Sequence, residues 1–179
     1  MTVMRITSFI DEGEVEFLKE YITHAIPNPS KQVALIRKKD GKLLSVDRDY
    51  YSVNSPLKIF DRVRKIAEKN YHVPITFRKD AYAQIMHYKT GSKGLDWHED
   101  KNLCYVGASI NLTPDYEHEG GNFEIWNSSI TNPYRSMVMY DNKTKHRVTG
   151  VSGGEKLSLV LWLPKVGQSV SDGKEWRYE

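Results

Sequence analysis

The segment EKLSLVLWL, Glu155–Leu163, most constrains the fold. Side chains alternate faces along a strand. Lys156, Ser158, Val160 and Trp162 therefore share one face, and Leu157, Leu159 and Leu161 the other. A strand with a leucine face and a second, partly polar face needs cover on both sides. The leucines are expected against helices and the mixed face inside a sandwich. An inward lysine without an anion is costly, so Lys156 reads either as a strand-end residue reaching water or as a lysine that receives an acidic ligand.

The rest of the chain is consistent with that layering. Ile6–Ile26 reads as a short strand entering a helix, with acidic residues crowding the helix start where the dipole favours them. Phe9, Ile10, Val15, Phe17, Leu18, Tyr21 and Ile22 supply its apolar spacing. Lys31–Val53 reads as a hairpin turning at Asp40-Gly41. Asn54–Asn70 is a second helix, capped by Asn54 or Ser55 with Pro56 near its first turn, and with Leu57, Phe60, Val63 and Ile66 on one face. Beyond Ile75, six short β-rich segments are separated by turn-type residues. Helices followed by many strands predict an α+β domain with an antiparallel sandwich or jelly roll. We expect one domain over 1–179, with helical support over about 1–75 and a jelly-roll core over about 76–166.

Formal net charge is only +3 and no dense Lys/Arg block occurs, which argues against nucleic acid as partner. The most basic run, Ile36–Lys42, contains the expected turn. A single cysteine, Cys104, permits no intramolecular disulfide and implies a reducing compartment. It is expected to be a small buried residue. No apolar run has signal-peptide or membrane-spanning length, so the expectation is a soluble, cytoplasmic protein with no membrane partner.

Six histidines are present, and a histidine becomes a credible metal ligand only as part of a set. In DWHED, strand alternation projects His98 and Asp100 the same way with Glu99 opposed. Asp96 shares their parity and competes on geometry alone. His146, forty-six residues beyond Asp100, is the best third donor, since it opens a strand-like segment that can return across a sandwich. Two histidines and a carboxylate on one face of an ion form the facial triad of non-haem Fe(II) oxygenases. In CYVGASINL, Val106, Ala108, Ile110 and Leu112 form a core face, and Tyr105, Gly107, Ser109 and Asn111 a polar one suited to a ligand wall. His118, between two glutamates, reads as a turn residue.

Tyr88, His98-x-Asp100, EGGNFEIW (Glu119–Trp126), His146, Lys156 ten residues later and Trp162 six after that together resemble the 2-oxoglutarate/Fe(II)-dependent dioxygenases, most closely the prolyl 4-hydroxylase group. The resemblance spans about Tyr82–Pro164. It implies a double-stranded β-helix core and hydroxylation of a peptidyl proline with release of succinate and CO2. It implies Fe(II) on His98, Asp100 and His146, and sets Asp96 aside. It implies 2-oxoglutarate on Lys156, with Tyr88 and Ser158 assisting, O2 as co-reactant and ascorbate as an accessory. Trp162, Trp126, Arg135 and Tyr50 are candidate substrate contacts, Tyr50 with Tyr51 on a hairpin lid. The chain departs from the family in having no arginine within Asn102–Leu112 and in placing Asn111 before Leu112, so the iron and cosubstrate side matches better than the substrate side. A hydroxylase of a free amino acid or other small molecule stays open, as does a non-catalytic jelly-roll binding module. A nucleic-acid demethylase would be expected to use arginine for the cosubstrate and a basic groove, and a zinc hydrolase would leave Lys156 unexplained.

Overall fold

A computed structural model describes residues 3–24, 30–37, 43–53, 55–78 and 82–170. The expected Asp40-Gly41 turn and the Asn54 cap lie outside the described residues. Two helices, α1 (Glu12–His24) and α2 (Lys58–Tyr71), accompany twelve strands. The strands are β1 (Val3–Ile6), β2 (Ser30–Arg37), β3 (Leu43–Val53), β4 (Ala83–Tyr88), β5 (Gly94–His98) and β6 (Val106–Asn111), then β7 (His118–Gly120), β8 (Phe123–Ile125), β9 (Met137–Asp141), β10 (His146–Val148), β11 (Val151–Gly154) and β12 (Lys156–Leu163). Ten of them form one curled antiparallel sheet in the order β1-β9-β6-β12-β4-β3-β5-β10-β8, with β2 also on β3, and β7 and β11 form a separate pair. This is an α+β half-barrel consistent with the double-stranded β-helix fold.

Registers fix which residues share a face. Leu159 pairs with Ile85 and Ile110, and Leu161 with Ala108, which in turn faces Met139. These apolar residues join Val15 and Leu18 of α1 and Phe60, Val63 and Ala67 of α2 in one buried cluster. The leucine face of β12 is thus sealed by helices, as its alternation requires. On the opposite face, Ser158 stands beside Met86 and Asn111, and Met86 beside Tyr50. Val160 lies beside Ser109, and Lys156 beside Tyr88. This mixed face lines the chamber inside the curl.

Helix α1 is started by a reciprocal pair of bonds. The Glu14 N–H donates to Asp11 Oδ1 at 2.7 Å, and the Asp11 N–H to Glu14 Oε1 at 3.2 Å. Phe17 faces outward at 53% exposure and is not part of the packed face. Helix α2 starts later than the sequence suggests. Its cap position is Leu57, extended at φ −111° and without a side-chain cap bond, so neither Ser55 nor Pro56 serves the expected role. Leu57 packs against the core cluster, which holds the chain extended up to Lys58. The expected lid also differs, because β3 is an integral strand of the main sheet, paired with β4 over Asp49–Val53 and with β5 through Val46 and Asp47.

Phe60 is fully buried and packs on Phe77 and Tyr82 at centroid distances of 6.1 and 6.4 Å. Phe60→Ala is expected to destabilise the fold by about 3–5 kcal/mol through lost burial and a residual cavity. Urea unfolding of the variant against the parent checks this.

Candidate active site

Strands β5 and β10 place the triad. His98 and His146 are direct register partners, and their rings lie 4.2 Å apart. Asp100 follows β5 in a turn whose carbonyl accepts the Leu103 and Cys104 N–H groups, while its own N–H donates to the Asn142 carbonyl. Asp100 is 2% exposed and each histidine 3%. His98 Nε2 is 3.5 Å from Asp100 Oδ1, and His146 Nε2 is 3.5 Å from Oδ2. The donor atoms of the three residues lie within 4.8 Å of one another, the one such cluster among the described residues.

The protonation pattern fits a cation. His98 Nδ1 donates to the Asp96 carbonyl at 2.8 Å, and His146 Nδ1 to the Thr144 carbonyl at 2.9 Å. A ring nitrogen facing a carbonyl must carry the proton, which leaves each neutral ring with its Nε2 lone pair aimed at Asp100. Two lone pairs and a buried carboxylate then converge, an arrangement that a divalent ion stabilises.

Asp96, equal to His98 in parity, is turned away from the site. Its Oδ2 accepts the Ser45 N–H at 2.7 Å, just beyond the last paired residues of β3 and β5. Of the other described histidine side chains, His118 donates Nδ1 to the Gly120 carbonyl and His87 contacts Glu155. His72 closes α2 in a left-handed conformation.

Trp162 is held against the triad. Its Nε1–H donates to Asp100 Oδ2 at 3.2 Å, and it is 8% exposed. Tyr140 lies 4.5 Å from the His146 ring and Phe123 lies 5.5 Å from it. Burial, reinforced by Asp100, pushes the Tyr140 phenol well above its usual range, so the ring is neutral. Gly107 makes room for it, because a Cβ there would stand 2.5 Å from Tyr140 Cε2. Sequence reasoning missed this contact. Gly107 on the polar face of β6 was its one available signal.

Lys156 is 4% exposed, and its Nζ donates to the Gly121 carbonyl at 3.1 Å. Burial lowers its pKa to about 8, against a small opposing effect from Asp115. Gly121 has φ +67°, and a Cβ on it would sit 3.1 Å from the Lys156 Cβ, which accounts for glycine in the EGGN stretch. Tyr88 lies opposite Lys156 and is 2% exposed, and its phenolic oxygen accepts a bond from Arg48 Nη1 at 3.1 Å. Ser158 is partly exposed on the chamber face.

A cavity of about 750 Å³ is lined by Lys156, Phe123, Ile125, Trp97 and Trp126 and walled by residues 127–133. Trp126 is 47% exposed and meets Trp97 edge-on at 5.1 Å. Tyr50 packs with Met86 and Tyr88 on the chamber side. Arg135 stands elsewhere, at the start of α1, 3.8 Å from Glu12 and over the Tyr134 ring. Cys104 is fully buried and its thiol is pushed well up by burial, which makes it inert.

With this geometry in hand, the comparisons are direct. Residues 83–164 match the model of the 2OG-Fe(II) oxygenase superfamily. The fold resembles a Pseudomonas putida prolyl-4-hydroxylase at TM-score 0.68 and 14% identity, covering 92% of this chain and 93% of that one. It resembles the viral collagen prolyl hydroxylase of Paramecium Bursaria Chlorella virus-1 at TM-score 0.66 and 16% identity, covering 93% and 97%. The non-haem α-ketoglutarate-dependent epimerase of nogalamycin biosynthesis is similar at TM-score 0.66 and 12% identity, covering 91% and 78%. No curated protein matches the sequence. As that match implies, His98, Asp100 and His146 form the Fe(II) site and 2-oxoglutarate is the cosubstrate. No described helix is long and apolar enough to cross a membrane.

The indole bond to Asp100 orients a metal ligand, and loss of such a bond typically weakens metal affinity about 10–100-fold. Trp162→Phe keeps an aromatic ring and removes the donor. We expect its Fe(II) affinity, titrated anaerobically, to fall within that range with little change in melting temperature.

Proposed function

We propose that this oxygenase hydroxylates an aliphatic carbon, with a prolyl residue of a peptide as the leading substrate. Lys156 is read as the partner of the distal carboxylate of 2-oxoglutarate, with Tyr88 and Ser158 beside it. The observation that carries the cosubstrate assignment is a nearly buried ammonium on the chamber wall, bonded to one carbonyl and facing a tyrosine across the strand pair. A carboxylate arriving there meets a charge that burial has already stripped of water.

When bound, iron and 2-oxoglutarate supply the oxidation, which releases succinate and CO2. The chain contributes position and shielding. Two Nδ1–H bonds lock the imidazoles, Trp162 holds one oxygen of Asp100, and Phe123 and Tyr140 wall the histidine side against water. The cavity of about 750 Å³ that Lys156 lines together with Trp97 and Trp126 has room for a peptide side chain and its flanking backbone. Similarity of fold to two prolyl hydroxylases supports the same substrate. The epimerase of nogalamycin biosynthesis, on an equally similar fold, favours a small molecule as the second reading. Mass spectrometry of proline-containing peptides, free amino acids and small cyclic substrates incubated with Fe(II), 2-oxoglutarate and O2 separates them. A sixteen-dalton gain confined to non-peptide substrates would overturn the peptidyl reading.

Two outcomes test the machinery. Succinate release should require Fe(II) and vanish in His98→Ala and Asp100→Ala, and full turnover by both variants would remove the triad. The 2-oxoglutarate requirement should also depend on pH. Lys156 binds a carboxylate in its charged form, and carboxylate binding raises its pKa. Affinity is therefore complete below about pH 8 and is lost as pH rises through that value, by about tenfold per pH unit until the bound-state pKa is reached. KM for 2-oxoglutarate measured from pH 6.5 to 9.5 should stay flat and then climb. Lys156→Arg should abolish the climb and Lys156→Ala should raise KM throughout.

A further inference from the structure

Strand β3 carries a buried cation that neither the metal site nor Lys156 accounts for. Alternation along β3 turns Arg48 and Tyr50 into the chamber and Asp49 and Tyr51 outward. Tyr50 packs with Met86 and Tyr88, whereas Tyr51 belongs to the helix-side cluster and Asp49 pairs with Lys89 at 3.1 Å. Arg48 is 8% exposed. The β3–β4 register, which sets Asp49 opposite His87, brings Arg48 level with Tyr88, and Tyr88 is in turn level with Lys156 on β12. A guanidinium, a phenol and an ammonium thus form one row across three adjacent strands, all facing inward. The positive charge of Arg48 also reaches Tyr140, on the iron side of the chamber.

The bond between Arg48 and Tyr88 has a definite direction. A guanidinium is donor-only, so Arg48 Nη1 gives its hydrogen to the Tyr88 oxygen at 3.1 Å. The phenol's own hydrogen then remains to be donated elsewhere. Accepting a charge-assisted bond polarises the O–H and strengthens it as a donor. Swinging that O–H toward Arg48 is disfavoured, because two donors would oppose each other. The remaining direction is into the chamber, toward whatever Lys156 binds.

We infer that Arg48 is a positioning residue of the cosubstrate pocket, which holds the Tyr88 hydroxyl oxygen so that its hydrogen points at the carboxylate paired with Lys156. This rests on the reading that Lys156 and Tyr88 hold 2-oxoglutarate. Arg48 acts through Tyr88 and does not touch the cosubstrate. The pocket then reads its dianion with one direct cation and one relayed through a phenol.

A double-mutant cycle tests the relay. Binding of 2-oxoglutarate is measured by calorimetry under argon on Mn(II)-loaded protein, where no turnover occurs. Arg48→Met and Tyr88→Phe should each weaken binding by about tenfold. The double variant should bind no more weakly than Tyr88→Phe alone, because Arg48 has nothing to act on once the hydroxyl is gone. Arg48→Lys, which keeps a charged donor, should recover part of the loss, and only in the presence of Tyr88. That variant carries the cycle if Arg48→Met fails to fold. A purely structural arginine would lower the melting temperature and leave 2-oxoglutarate affinity intact, which overturns the inference. Multiplying losses in the double variant, or wild-type affinity in Tyr88→Phe, also overturns it. If Lys156→Met and Tyr88→Phe both bind normally, the cosubstrate reading itself fails. Impaired Lys156→Met with unaffected Arg48→Met removes only the role of Arg48.

Discussion

A sheet can present a polar inner wall only if its outer wall supplies the burial that holds it together. Here that burial comes from Leu159 and Leu161 of β12, with Ile85, Ala108, Ile110 and Met139 beside them, pressed against α1 and α2. The same strands carry Lys156, Ser158, Ser109 and Asn111 on the reverse side. Because strand side chains alternate strictly, the two faces are coupled. A one-residue slip would drive the leucines into the chamber and the lysine into the helices. The apolar core therefore fixes the register of the site, and the helices earn a place in any account of the chemistry although none of their residues reaches it.

The charged groups in the chamber are stabilised in different ways. Asp100 is surrounded by donors and lone pairs at fixed distances, with the indole N–H on one oxygen and two imidazoles facing the pair. Its site is organised before metal arrives, and the reorganisation cost of binding is small. Among the described residues Lys156 has the Gly121 carbonyl as its one hydrogen-bond partner, so burial dominates and its pKa falls to about 8. On the proposed reading, one charge is fitted for a resident metal and the other for a ligand that comes and goes. A lysine serves the second role well, since its protonation can follow the arrival of the anion, which an arginine cannot do.

Local periodicity revealed the parts of the site that depend on one strand at a time. Alternation alone paired His98 with Asp100 and turned Lys156 inward, and the spacing to His146 resembled a family whose triad the fold assembles. What stayed hidden depends on contacts between distant segments. Asp96 could not be excluded by parity, because its exclusion comes from the Ser45 N–H, fifty-one residues earlier. Trp162 read as a substrate contact, and its bond to Asp100, which makes it a support of the metal site, spans sixty-two residues. Arg48 carried no signal in a hairpin that read as a lid, since only the β3–β4 register sets it beside Tyr88. The late start of α2 was illegible for a similar reason, as the packing of Leu57 overrides the better cap upstream.

The groove also bears on where specificity resides. Lys156, Trp97 and Trp126 all line it, with residues 127–133 forming a wall. If 2-oxoglutarate sits on Lys156, as proposed, the Trp97–Trp126 corner and the 127–133 segment are the walls left to a substrate. Trp126 leads that segment, with Lys145 4.9 Å from its ring centre, and Arg147 lies 4.6 Å over Trp97. That corner stacks cations on aromatic rings. Asn132 of that wall is tied to β6, donating to the Ser109 carbonyl at 3.1 Å and accepting from Asn111 Nδ2 at 2.9 Å, and Ile130 packs against the Ile125, Val138 and Tyr140 cluster. On the proposed reading, the sheet anchors the chemistry, and the segment after β8, tied to β6 through Asn132, walls the substrate side.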